Sequence, residues 1–401
     1  MSKNNFFKNL LIKTQKKCPC CNQDNKQSNS TNVIDLPKYP ITEFYRNQRS
    51  KLISDALINQ KVLFCKTCDH MYLQNILDVN KIYRNYITST NSSGGAVLCL
   101  KNFYSFIYKK NKNIDRYNLV DIGGNDSTFL KLFRKNKKLK INIDPNASSS
   151  KKNIILKKVF LENINFNQIA QSKNKTAYLS SHTIEHLENP ILLLKNLSEV
   201  LKKDDVIYLQ FPSLEKLVEH MRFDQICHQH INYFSLKSIS KVLLKLKLYI
   251  NDYEFDTSHF GTLRIKISRS NINNKKLIFS KKMYINLKNS YNNFSKYYAQ
   301  LNYTLKNYFK NGQGYGAGLM VPILAYYLPL INNLDVIIDE NPEKLNKKFI
   351  NLKPIIKNKL AINKNKPMLV TSISTKAAGR QIFNKLSKHG IDDICIPSIV
   401  I

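Results

Sequence analysis

Residues 118–136 read NLVDIGGNDSTFLKLFRKN: an apolar run meets a Gly-Gly pair and passes into an amphipathic helical pattern. A strand, a glycine turn and a helix in that order open a doubly wound α/β sheet, where glycine lets the backbone approach a nucleotide-like cofactor. The turn lacks the full Gly-x-Gly-x-x-Gly spacing of dinucleotide-binding folds. The next segment, KINIDPN, is a second strand ending in Asp144. An acid so placed after Asp121 can accept hydrogen bonds from a ribose diol. Then TAYLSSHTIEHLENPILLLKNLSEVLKKDDVIYLQFP gives a strand, a polar turn, a helix with apolar Ile191, Leu194, Leu197 and Leu201, and another strand. The alternation predicts a parallel sheet continuing through this region.

The last third repeats the pattern. Residues 335–340, 368–374 and 375–389 read as strand, strand and helix, a second parallel α/β unit. The Asn-, Lys- and Tyr-rich stretch 270–311 is expected to be a helical connector. GYGAG at 314–318 then follows a polar helix, either as a phosphate-contacting turn or simply as a tight one. Residues 311–334 carry no charged side chain, but their glycines and prolines favour a turn, a buried helix and a stop over a membrane span. The N-terminus lacks the uninterrupted apolar core of a signal peptide, so a cytoplasmic chain with reduced thiols is expected.

That expectation governs the eight cysteines. CPCC at 18–21 and CKTC at 65–68 form two Cys-x-x-Cys knuckles, and four thiolates so spaced suit tetrahedral zinc. Cys18, Cys21, Cys65 and Cys68 are the expected ligands, with Cys20 a spare thiol. Four sulfurs leave no open coordination position, so the zinc would be structural.

The formal net charge is +35, yet only nine of the 63 basic residues are Arg. Arg makes the bidentate contacts that read phosphates and bases, and here Lys is scattered among Asn and Ile instead. A diffuse positive field favours a small anionic substrate such as a nucleotide-linked metabolite over nucleic acid. A noncatalytic or RNA-binding zinc protein is the alternative from another class, and it predicts affinity falling steeply with salt.

The motifs DIGGND, IDPN and SSHTIEHLENP resemble the cofactor loop, ribose acid and post-strand motif of class I S-adenosylmethionine-dependent methyltransferases. With FDQICHQHINYFS, SHFGTLRI, YGAGLM and the leading cysteine module in order, the chain resembles the three-part nucleotide-sugar C-methyltransferases over roughly residues 18–356. The resemblance implies a zinc-binding module (1–80), a class I methyltransferase domain (81–270), and a helical connector with a second Rossmann-like, substrate-binding domain (271–401). It implies S-adenosylmethionine at Asp121, Gly123, Gly124, Asn125, Asp126, Asp144, Ser181 and His182. Substrate contacts fall on His259 and Tyr315.

Transfer to carbon needs an enolate, so a nucleotide-linked 4-ketosugar is the expected acceptor, in deoxysugar or surface-polysaccharide synthesis. A histidine, largely neutral at cellular pH, suits the base. By resemblance the base is His230, the last residue of a Tyr-x-Glu-His pattern that here reads Cys227-His228-Gln229-His230, and a second histidine is His186. Cys227 stands for the phenol, Gln229 for the acid, and His228 is a possible substitute donor. Ser127 replaces the loop glycine. A metal held by Cys227, His228 and His230 is a rival reading, because alternate residues of an extended segment share a face. An O- or N-methyltransferase on the same scaffold is another.

Overall fold

The computed structural model describes residues 10–26, 28–42, 44–49, 57–78, 81–82, 90–161, 164–169, 173–257, 261–271, 276–372 and 376–397. Its centre is a seven-stranded sheet: β1 (Asn118–Ile122), β2 (Lys140–Ile143), β3 (Ile155–Lys157), β4 (Thr176–Ser181), β5 (Val206–Pro212), β6 (Tyr249–Asp256) and β7 (Thr262–Ser268). The spatial order is β6-β7-β5-β4-β1-β2-β3, parallel throughout except for β7, which runs antiparallel to both β5 and β6. That order, with one reversed strand beside β5, is the topology of the class I methyltransferase fold.

Strand alternation divides the core between the two faces of this sheet. Leu119, Ala177, Leu179 and Tyr208 meet α1 (Gly94–Lys110) and α2 (Thr128–Leu132), where Phe103 stacks on Phe129 with ring centroids 5.1 Å apart. Val120, Ile122, Tyr178 and Ile207 meet α3 (Pro190–Val200) on the other face. Asn189 caps α3 by accepting the Leu192 amide, and Pro190 occupies the first turn, where its missing N–H costs nothing. The buried stripe of α3 is Leu193, Leu194 and Leu197, with Leu201 just beyond, so Ile191 sits at its half-buried margin. Past β5, α4 (Leu214–Glu219) and α5 (Leu236–Lys245) flank the segment carrying His230.

The N-terminal module is a four-stranded antiparallel sheet, ordered Asn232–Tyr233, His70–Leu73, Leu57–Cys65, Ser30–Pro40. Its edge strand, Asn232–Tyr233, comes from beyond β5 and directly follows His230. The long gap between the two knuckles is thereby explained. The strands Ser30–Pro40 and Leu57–Cys65 fold back on each other, and the pairing of Ser30 with Cys65 brings the second knuckle to the first.

The C-terminal third begins with α6 (Met283–Leu305), which buries Met283, Leu287, Ser290, Phe294 and Tyr298 at helical spacing. A five-stranded parallel sheet follows, ordered Ile355–Lys357, Val336–Ile338, Gln313–Tyr315, Met368–Val370, Ile394–Cys395. The glycine turn at 314–318 follows the polar helix α6 as expected, but a central strand lies between them. Gln313-Gly314-Tyr315 has too few apolar residues to betray that strand by pattern. Helix α7 (Val321–Tyr327) then packs as the expected buried helix, and α8 (Lys376–Lys388) closes the alternation. Strand Lys347–Phe349 pairs antiparallel with Tyr45–Asn47, joining this domain to the N-terminal module. No helix among the described residues is long and apolar enough to cross a membrane.

Candidate active site

The C-terminal edge of β1 carries the glycine loop. Gly123 has φ +78°, and a Cβ there would lie 2.1 Å from Thr183 Oγ1. A Cβ at Gly124 would lie 2.4 Å from Asn142 Oδ1, so neither position admits a side chain without displacing its neighbours. Asn125 and Ser127 are also left-handed, with φ 42° and 60°. Ser127 offsets that strain by donating to the Ser148 carbonyl at 2.6 Å and accepting from Asn142 Nδ2 at 2.7 Å. Asp126 is engaged locally: its oxygens accept the Thr128 amide at 3.1 Å and the Asn91 amide at 2.9 Å.

Asp121 is 2% exposed and its Oδ2 has no hydrogen-bond partner. Burial, then the neighbouring Asp144 and Asp126 carboxylates, push its pKa up to about 8. Asn142 Oδ1, beside the loop, is likewise an orphaned buried acceptor. Asp144, at the end of β2, accepts the Asn125 amide at 3.2 Å and the Asn146 amide at 2.7 Å, and burial raises its pKa.

The ends of β4, β5, β7 and β6 form a polar row, because the register aligns Ser181 with Gln210, Gln210 with Arg264, and Arg264 with Glu254. Gln210 donates to Ser181 Oγ at 2.9 Å and accepts from Arg264 Nε at 2.8 Å. Arg264, 2% exposed, also pairs with Glu254 at 2.9 Å and with Asp256. His182 follows with φ 53°; burial and then the Arg264 charge lower its pKa to about 4.

Beyond His182 a short turn, Ile184–His186, presents Glu185 and His186. His186 Nδ1 lies 2.9 Å from the Gln229 carbonyl oxygen, and its ring meets that of His230 edge to face, centroids 4.8 Å apart. Ligand atoms of Glu185, His186 and His230 all lie within 4.8 Å of one another. Burial lowers the His186 pKa, partly countered by Glu185.

Cys227, His228 and Gln229 face elsewhere. The His230 amide donates to the Cys227 carbonyl at 3.1 Å, so the segment is a turn, not an extended strand, and His228 and His230 point to different sides. His228 Nδ1 is 3.3 Å from Gln60 Nε2 and its Nε2 is 3.3 Å from the Tyr39 carbonyl, both in the N-terminal module. Gln229 Nε2 donates to Thr42 Oγ1 at 2.8 Å. Cys227 packs in the apolar cluster with Tyr39 and Tyr233. The shared face required for a three-ligand site on Cys227, His228 and His230 is therefore absent. His259 lies outside the described residues. Tyr315 ends the central strand of the C-terminal sheet, half-buried, with the Lys385 ammonium 5.9 Å from its ring centroid.

Residues 97–250 match the family model of a methyltransferase domain. Over 258 residues the chain is 18% identical to the C-methyltransferase NovU of Streptomyces niveus, covering 63% of this chain and 60% of that relative. The chain thus spans less than two thirds of the length of the curated relative it matches. Among solved structures, it is similar to magnesium protoporphyrin IX methyltransferase from Synechocystis, at 12% identity and TM-score 0.34, covering 48% of this chain and 93% of that one. It is also similar to an S-adenosylmethionine-dependent methyltransferase from Mesorhizobium loti, at 8% identity and TM-score 0.34, covering 41% and 97%. Likeness of that degree says nothing of substrate.

Within the methyltransferase domain the donor set fits a cofactor bearing an ammonium and a ribose diol. Asp121 and Asn142 offer orphaned acceptors, and Asp144 has acceptor capacity beyond its two amides. Glu185, Gln210 and Arg264 are site residues that motif reading missed. Glu185 sits inside the quoted TIEHL, where its burial has no periodic signature. Arg264 reaches the candidate site because β7 is reversed and brings its first residues to the carboxyl edge of the sheet.

Beside this domain, Cys18, Cys21, Cys65 and Cys68 bring their sulfurs within 4.8 Å of one another, with Cys18–Cys68 at 3.7 Å and Cys21–Cys65 at 3.5 Å. Tetrahedral zinc with bonds of about 2.3 Å requires sulfur separations of about 3.8 Å, so the set fits. Interaction with Cys18 lowers the Cys65 thiol pKa and takes that of Cys21 to about 7. Cys20 stands apart, 3.3 Å from the Ser238 carbonyl.

Proposed function

We propose that the chain is an S-adenosylmethionine-dependent methyltransferase that methylates a carbon of a nucleotide-linked ketosugar, with a structural zinc in its N-terminal module. The observation that carries this reading is the placement, on one edge of one sheet, of the acid-bearing glycine loop and the His186–His230 pair. Bound S-adenosylmethionine supplies an electrophilic methyl group. The glycine loop, Asp121 and Asp144 would hold it, and Ser181 and His182 flank it.

His230 is the proposed base, taking the proton from the carbon beside the acceptor carbonyl and leaving its electron pair as an enolate. The neighbouring His186, whose pKa burial lowers, orients it through the ring contact. The similarity to a named C-methyltransferase supports carbon over oxygen or nitrogen as the acceptor atom. The zinc would fasten the sheet that receives Asn232–Tyr233, and so the position of His230.

Calorimetry with S-adenosylmethionine and S-adenosylhomocysteine tests the core of the reading, and a zinc-loaded chain that binds neither would sink it. Methylation of a panel of nucleotide ketosugars, with products identified by NMR, separates carbon from heteroatom transfer. The variant His230→Ala is expected to lose at least about a hundredfold in turnover while keeping its cofactor affinity. Turnover close to wild type would reject His230 as the base.

A further inference from the structure

The Gln229 side chain is committed to Thr42 and carries no charge, so the carboxylate expected beside the base is not at that position. Another carboxylate is present. Glu185 is 1% exposed, and neither of its oxygens has a hydrogen-bond partner beyond its own backbone amide. Its Oε1 lies 3.2 Å from His182 Nδ1 and 4.0 Å from His186 Nε2. A buried carboxylate left in this condition costs free energy unless a donor or a positive charge reaches it in some state of the protein.

The tautomer of His186 shows which state that is. A carbonyl oxygen only accepts, so the contact with the Gln229 carbonyl places the ring proton on Nδ1 and leaves Nε2 as the basic nitrogen, on the side of Glu185. A proton arriving on Nε2 creates both the N–H and the positive charge that Glu185 lacks.

We propose that Glu185 is the carboxylate partner of the His186–His230 pair, a positioning residue that orients His186 and holds the imidazolium formed when the pair takes a proton from the acceptor. The proposal rests on the methyltransferase reading of the same site. The groups facing Glu185 are His182 and His186 on its own segment, His230 and Tyr233 from the segment after β5, and Arg264 on β7 across His182. Burial raises the Glu185 carboxyl to about 7 and lowers the His186 imidazole, so the titrations of the two groups are drawn together.

The test uses the zinc-loaded full chain with ¹⁵N-labelled histidine and ¹³C-labelled glutamate, titrated by NMR. Glu185→Gln is expected to lower the protonation midpoint of His186 by about one pH unit or more, and Glu185→Asp to restore most of that shift. An unchanged midpoint in Glu185→Gln overturns the proposal. Should that variant not fold, the wild-type Glu185 carboxyl decides: titration coupled to His186 supports the partnership, and an isolated titration at the ordinary carboxyl value overturns it. Metal analysis of wild type and Glu185→Gln is expected to give equal zinc. A second metal equivalent lost with Glu185 would mean that the cluster is a cation site and would overturn the proton-sharing role. Calorimetry with S-adenosylhomocysteine on the same samples reports separately on the methyltransferase reading, since wild type failing to bind it would reject that reading without altering the histidine titration.

Discussion

A carboxyl group sealed from water makes folding itself sensitive to pH. In the unfolded chain Glu185 loses its proton near its ordinary value of 4.5, whereas in the folded protein it keeps the proton until about 7. Between those values the unfolded state binds fewer protons, so stability falls as pH rises, and the loss persists above the window. The Glu185→Gln variant escapes it. It should match wild type at pH 4.5 and exceed it at pH 8 by up to about 3 kcal/mol in urea unfolding. Equal differences at the two pH values would show that the carboxyl is not buried as described. Ser127 illustrates the opposite balance: its left-handed backbone is offset by two hydrogen bonds that glycine could not make.

Among the elements, the legible ones were those whose side chains announce their own geometry. β1, its glycine turn, β2 and α3 follow from apolar periodicity and steric need; Asp121 was found because it precedes the glycine turn, and Asp144 because it ends a strand. What escaped was set by distant partners. Gln313–Tyr315 is a strand because strands on both sides pair with it. His228 and His230 part company because a backbone turn intervenes and because Gln60 and Tyr39 receive one of them. Asn232–Tyr233 is too short to be a strand alone and exists as the edge of the N-terminal sheet. Its order should depend on the proposed zinc knuckle, which closes the strand Leu57–Cys65 two positions away in that sheet. Stripping zinc with a chelator is expected to speed amide exchange at Asn232 and Tyr233 at least tenfold, as read by hydrogen-exchange mass spectrometry. Protection unchanged after complete zinc loss would disconnect the knuckle from the site.

Across the whole molecule, the two largest apolar clusters cross between the three parts. Cys18, Cys65 and Tyr72 of the N-terminal module share one apolar cluster with Phe211, Leu236 and Ile239 of the methyltransferase domain. Tyr39 and Phe64 share another with Leu217, Phe223, Phe294 and Ile323, which span the centre and the C-terminal third. Partitioned cores would melt independently, while shared ones couple the parts. Scanning calorimetry of the zinc-loaded chain is therefore expected to show one dominant transition, displaced downward as a whole when zinc is removed. Two resolved transitions with only one responding to zinc would contradict the coupling.

The edge strand Asn232–Tyr233 also imposes an order of events on the ribosome. Three strands of the N-terminal module are synthesised early, yet its four-stranded sheet cannot be completed until some 160 residues after His70–Leu73 have emerged. Until then the edge of His70–Leu73 stays open to pairing with other nascent chains. The geometry that places the proposed base beside its partner thus leaves the N-terminal module unfinished until the chain has passed Tyr233.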